Sequence, residues 1–173
     1  ENAFADTWPL RDAARAKGVL LLAGAELHTD RGHYLVFLPQ PETLPPAHEI
    51  FGAPGPAGFA LQDVALRTHA LGGALVALHP YDPDDAHAPH DTLYTVRHLT
   101  AVEAMNGRRG FASGRGAVEA ADTMGLACTG GSDARSPDAV GSAATLFGTA
   151  VRDEASLIDA LKAGSCWPVE FSA

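Results

Sequence analysis

Stretches that read as strands alternate with stretches that read as helices along almost the whole chain, an order that points to a parallel α/β fold. Residues 8–17 have a helical pattern, with Thr7 to cap it and Gly18 to close it. Residues 19–27 follow as a mainly apolar strand of the kind buried on both faces, and 34–38 as a second, shorter one. Residues 39–58 hold six prolines and read as a loop or lid. A helix over 59–71 ends at Gly72-Gly73, a strand over 74–78 delivers His79-Pro80, and 81–91 is a second polar loop. A strand over 101–105 leads into Asn106-Gly107-Arg108-Arg109. A helix over 116–124 and a strand over 126–129 come next, then the turn Gly130-Gly131-Ser132-Asp133. A strand over 143–147 and a helix over 154–163, stopped by Gly164, complete the pattern. No internal repeat breaks it, and residues 1–173 are read as one domain.

Glu26, His79, Asn106 and Asp133 all fall at or just past the C-terminal end of an expected strand, the edge on which parallel α/β folds build their sites. A carboxylate closing an apolar run, as Glu26 does, is costly unless it is paired, coordinated or left in water. His33 lies across the turn Thr29-Asp30-Arg31-Gly32, short enough to fold a second strand back on the first. Pro80 biases His79 to an extended backbone and so aims its imidazole, the commonest side-chain ligand for transition metals. Paired glycines let backbone approach a ligand, and Asp133 behind them suits holding a cation or orienting a water. Arg108 and Arg109 match the geometry of a phosphate.

Each residue alone has a plainer reading: a solvated strand-end carboxylate, a surface histidine, an Asp-containing turn, a solvated arginine pair. Four separate segments ending the same way favour a site. His48, His69 and His98 read as structural or solvent-exposed. His87 and His90 read as surface, with a lid contact as the alternative, and the direction of His28 stays open.

The formal charge of −9 argues against duplex nucleic acid as a partner. It leaves room for a small phosphorylated molecule, because a bound cation reverses the local field. The two cysteines, Cys128 and Cys166, lack CxxC spacing, so imidazoles and carboxylates are the available ligands. Unpaired thiols and the absence of a basic-then-apolar leader pattern fit a cytoplasmic protein. No apolar run approaches the roughly 18 residues a membrane span needs.

Taken in order, Gly24-Ala25-Glu26, Gly32-His33, Ala77-Leu78-His79-Pro80, Val102-Glu103-Ala104-Met105-Asn106-Gly107, Gly130-Gly131-Ser132-Asp133-Ala134, Val140-Gly141 and 145–147 resemble the PHP (polymerase and histidinol phosphatase) superfamily. The likeness looks closest to its metal-dependent phosphoesterases and carbaryl-hydrolase-like branch, and it spans residue 19 to the C-terminus. It implies a distorted (β/α)7 barrel holding one to three divalent ions (Mn, Zn or Fe). It further implies Glu26, His33, His79 and Asp133 as metal ligands, with Asp133 and His79 catalytic. Two departures stand out. The family's opening His-x-His and its later Asp-His pair are not in this sequence, so the chain resembles a member without its first βα units, whose exposed strand edges call for a homodimer or an open sheet patched by the Pro-rich loop. Arg135 stands where the family has a histidine, and a guanidinium cannot ligate a cation.

The expected function is therefore a metal-dependent phosphoesterase that hydrolyses a small phosphorylated molecule with a metal-activated water, Arg135, Arg108 and Asn106 binding the substrate. The alternatives are a PHP-like domain that binds without catalysis, and a carboxyl-ester or carbamate hydrolase using the same site.

Overall fold

The computed structural model describes residues 8–109 and 114–171. Thr7, expected to cap the first helix, lies outside them. The elements run α1 (Trp8–Ala16), β1 (Ala25–Thr29), β2 (Gly32–Phe37), α2 (Ala47–Phe51), α3 (Leu61–Ala70), β3 (Ala74–Ala77), β4 (Ala101–Asn106), α4 (Gly114–Met124), β5 (Ala127–Gly131), β6 (Ala143–Phe147), α5 (Glu154–Lys162) and β7 (Cys166–Glu170). No described helix is long and apolar enough to cross a membrane.

The expected alternation holds; the resemblance implied a distorted (β/α)7 barrel short of its first βα units, and no barrel forms among the described residues. The strands make an open five-stranded sheet in the order β1-β2-β3-β4-β5 and a two-stranded ribbon, β6-β7. The cause is local. Asp30-Arg31 is a two-residue hairpin loop, so β2 must return antiparallel to β1, with Thr29 opposite Gly32 and His28 opposite His33. The Thr29 hydroxyl donates to the Gly32 carbonyl at 2.8 Å and pins the turn. β2 then pairs antiparallel with β3, and only β3, β4 and β5 run parallel. The first strand starts at Ala25 rather than Val19, and Val19 and Leu20 are exposed. Hence Glu26 sits within a hairpin strand instead of closing a long parallel one. The sequence reading had no strand over Cys166–Glu170, where Pro168 is tolerated because β7 pairs with a single partner in the ribbon.

Apolar residues cover both faces of the sheet. Leu75, Ala77, Val102 and Ala104 join Leu27, Tyr34 and Val36 beneath α3 and α4, which contribute Leu61, Val64, Ala65, Ala117, Ala120 and Ala121. Their sheet neighbours Ala74, Val76, Ala101 and Ala127 point the other way, against Leu157, Ile158 and Leu161 of α5. That period of two fixes where the site lies. Glu26, His28 and His33 share the half-buried face of the hairpin, while Ala25, Leu27, Tyr34 and Val36 face the core. On β4, Glu103 has the parity of Ala101 and joins the same face as the hairpin's polar residues. A bulge between Glu103 and Met105 shifts the β4–β5 register at this point.

Candidate active site

A cavity of about 410 Å³ opens at the C-terminal edge of the parallel strands, lined by Glu26, His28, His33, His79, Glu103 and Asn106 with Arg108, Arg109, Asp133 and Arg135. Every residue expected to ligate, catalyse or bind substrate borders this one cavity. Within it, Glu26, His33 and His79 each present a ligand atom, all within 4.8 Å of one another. The hairpin brings the first two together: His33 Nδ1 lies 3.6 Å from Glu26 Oε1. β3 delivers the third, since Leu78 N donates to the His33 carbonyl at 3.0 Å and places His79 just beyond.

His79 is held differently from the extended conformation its proline suggested. Its φ is +31°, in the left-handed region that costs a non-glycine residue of order 1–3 kcal/mol. The chain turns sharply there: Asp82 N donates back to the His79 carbonyl at 3.1 Å, and His79 N donates to Glu103 Oε2 at 3.0 Å. The side chain is buried, and Nδ1 lies 3.3 Å from Asp85 Oδ2, close but not aligned as a hydrogen bond. Burial, reinforced by the Arg109 guanidinium, lowers the His79 imidazole to about 4, and Asp85 only partly opposes this. Burial and the neighbouring His28 also lower His33. Both rings are therefore neutral near pH 7, the form that donates a lone pair to a cation.

Asp133 takes a different position from the other three. It borders the cavity with φ +46°, but Arg108 Nε donates to its Oδ2 at 2.8 Å and Arg135 Nε lies 3.9 Å from its Oδ1. Asn106 is used internally. Its Nδ2 donates to Glu103 Oε2 at 3.2 Å, and its Oδ1 accepts the backbone N–H groups of Arg108 and Arg109, both at 3.1 Å. It builds the turn that carries the arginines, rather than offering a free amide to substrate. Arg109 is paired with buried Asp82, whereas Arg135 is largely exposed.

Several site residues escaped the sequence reading. His28 lies over His33 with ring centroids 4.2 Å apart. Asp82 and Asp85 brace His79 from the 81–91 loop read only as polar, and Arg109, read as a phosphate contact, pairs with Asp82. Glu103 is buried, and burial raises its carboxyl to about 7 against the opposing hydrogen bonds from Asn106 and His79. A lone acid inside the run Ala-Val-Glu-Ala-Met was the available signal, because a buried strand tolerates a carboxylate only where something meets it.

The donor set fits a divalent transition ion. Two neutral imidazoles and a carboxylate suit Zn, Mn or Fe, and the buried, unaligned Nδ1 of His79 shows an imidazole held by burial rather than by its own hydrogen bonds.

The PHP-associated family model matches residues 114–166, under a third of the chain. PsfC from Pseudomonas syringae superposes with a TM-score of 0.63 at 26% identity, over 90% of this chain and 62% of its own. The chain thus spans less than two thirds of that protein's length. A Bifidobacterium adolescentis protein provisionally assigned as a metal-dependent phosphoesterase superposes with a TM-score of 0.54 at 16% identity, over 73% of this chain and 72% of its own. No curated protein matches the sequence. Nothing here singles out the carbaryl-hydrolase-like branch, but the PHP-associated segment and the shared fold uphold the chain's resemblance to the PHP superfamily.

Proposed function

We propose that this domain is a metal-dependent phosphoesterase acting on a small phosphorylated molecule. One observation carries the reading: in a single cavity, three donors suited to a divalent ion face three guanidiniums suited to a phosphate. Glu26, His33 and His79 hold the ion. A divalent ion held there supplies a Lewis acid, lowering the pKa of water and offsetting charge on phosphoryl oxygens. Arg108 and Arg135 take phosphoryl oxygens of the substrate. Because Arg108 rests on Asp133, capturing a phosphate draws it away and frees the carboxylate. Asp133 then completes the cation site, or orients the attacking water and accepts its proton. Arg109, fixed by Asp82, adds positive charge at the cavity wall without moving.

The test is metal analysis of protein purified without chelators, together with turnover of an aryl phosphomonoester. Stoichiometric metal and turnover abolished by His79→Ala are expected. Metal without turnover would reject the phosphoesterase assignment, and no metal with full stability in His79→Ala would reject the site itself. The Asp133–Arg108 contact favours one second reading, a domain that binds anions without hydrolysis. Turnover abolished by Asp133→Asn would exclude it.

A further inference from the structure

We infer that Glu103 is a positioning residue whose one carboxylate oxygen sets the metal-binding half and the phosphate-binding half of the cavity together. The inference rests on the proposed metal and phosphate roles of those halves, but the linkage itself is geometric. Oε2 accepts the backbone N–H of His79 at 3.0 Å and the side-chain amide of Asn106 at 3.2 Å. Through Asn106 Oδ1 the same network holds the N–H groups of Arg108 and Arg109 at 3.1 Å. One buried atom thus ties the left-handed His79 to the turn that presents both arginines.

Three further features show that the position is constrained. The residue sits at the β4 bulge, which re-aims a side chain at a sheet edge. It is 8% exposed, although both groups bonded to Oε2 are neutral donors, so burial disfavours its charge. It packs against the end of β5: a Cβ on Gly131 would lie in ordinary van der Waals contact with its Oε1, at 3.4 Å. A strand residue chosen only for packing would be apolar here, like its neighbours Val102 and Ala104. Hydrogen bonds to the groups around a metal ligand orient that ligand, and their loss typically weakens metal binding or activity by roughly 10–100-fold.

The experiment compares Glu103→Gln, Glu103→Ala and Asn106→Ala with the parent chain. Amide hydrogen exchange is read in the metal-free protein. Mn(II) affinity is read by calorimetry, and kcat and KM with an aryl phosphomonoester. Glutamine can place its carbonyl where Oε2 lies, so Glu103→Gln should keep the His79, Arg108 and Arg109 amides protected and Mn(II) affinity near the parent's. Glu103→Ala should speed exchange at all three amides while Val76 and Val102 stay protected, and should weaken Mn(II) binding roughly 10-fold or more. Asn106→Ala cuts only the arginine branch. It should raise KM and speed exchange at Arg108 and Arg109, while sparing the His79 amide and Mn(II) affinity. If Glu103→Ala does not fold, the contrast between Glu103→Gln and Asn106→Ala carries the test. Unchanged His79 exchange and Mn(II) affinity in folded Glu103→Ala would overturn the proposal, as would equal damage to both halves in Asn106→Ala. If no phosphomonoester is turned over, the exchange and Mn(II) readings still decide the role of Glu103, so failure of the phosphoesterase reading is told apart from failure of this one.

Discussion

A divalent cation should stabilise the folded chain, and the positions of its ligands say by how much and through which residues. Glu26 and His33 belong to the β1–β2 hairpin and His79 to the turn after β3, so an ion held by all three joins segments that separate on unfolding. A ligand that binds only the folded state contributes ~2.7 kcal/mol at a free concentration of about 100 times its Kd. In a chain of 173 residues, each kcal/mol moves Tm by roughly 2–4 °C, so the expected rise is roughly 5–11 °C. His33→Ala removes one of the three donors from a half-buried strand position, where truncation leaves the hydrogen-bonded hairpin backbone in place. That variant should fold and lose most of the metal-dependent rise. The assay is differential scanning calorimetry of chelator-stripped protein at neutral pH, titrated with Mn(II) and Zn(II). An equal rise in His33→Ala would show that cations bind elsewhere. No rise in the parent at millimolar cation would refute the assignment of these three residues.

Two other perturbations follow from single positions. Gly58 has φ +100°, and a Cβ there would lie 2.4 Å from the His28 carbonyl, so Gly58→Ala should cost about 2 kcal/mol or more in denaturant unfolding; a cost near zero would show that the contact between this loop and β1 is not needed. The lowered pKa of His79 predicts acid sensitivity of the metal-free protein. The unfolded histidine charges near 6.5 and the folded one only at about 4, so the unfolded state binds more protons between those values and stability falls as pH drops through that window. Denaturation at about pH 7 and about pH 5 should show the loss in the parent and a smaller one in His79→Gln, and equal losses would contradict a neutral, buried imidazole.

What the sequence revealed, and what it hid, follows from the range of the interactions involved. Helix ends were legible because a residue's own conformation sets them: Gly18, Gly72 and Gly164 close their helices with φ of +72°, +74° and +67°. The strand ends bearing His79, Asn106 and Asp133 were legible because apolar runs stop there. Sheet direction was not. An alternation of strands and helices suits a parallel sheet, but the two-residue loop at Asp30-Arg31 overrides it for β1 and β2. The strand over Cys166–Glu170 was hidden because Pro168 argues against one locally, while pairing with β6 supplies the reason it forms. The left-handed backbone of His79 was hidden as well. A following proline favours extended conformations, and only Glu103, 24 residues away in the chain, together with the turn to Asp82, holds the alternative.

The charge of the cavity explains how a chain of net charge −9 can serve a phosphate at all. Arg108, Arg109 and Arg135 line the cavity, but Glu26, Glu103 and Asp133 line it too, with Asp82 and Asp85 just behind His79. The guanidiniums are largely spoken for: Arg109 by Asp82, and Arg108 by Asp133. Without a cation, an incoming phosphate meets arginines already paired and carboxylates that repel it. A divalent ion at Glu26, His33 and His79 changes that balance by two charges at once, and a phosphate in turn neutralises the ion's field and relieves Asp133 of Arg108. On the proposed reading the two ligands strengthen each other, and equilibrium linkage requires the factor to be the same in both directions. On that reading the arginines would not make a standing anion site on an acidic protein; they would become one when the cation is present, tying substrate capture to the state of the cavity that can use it.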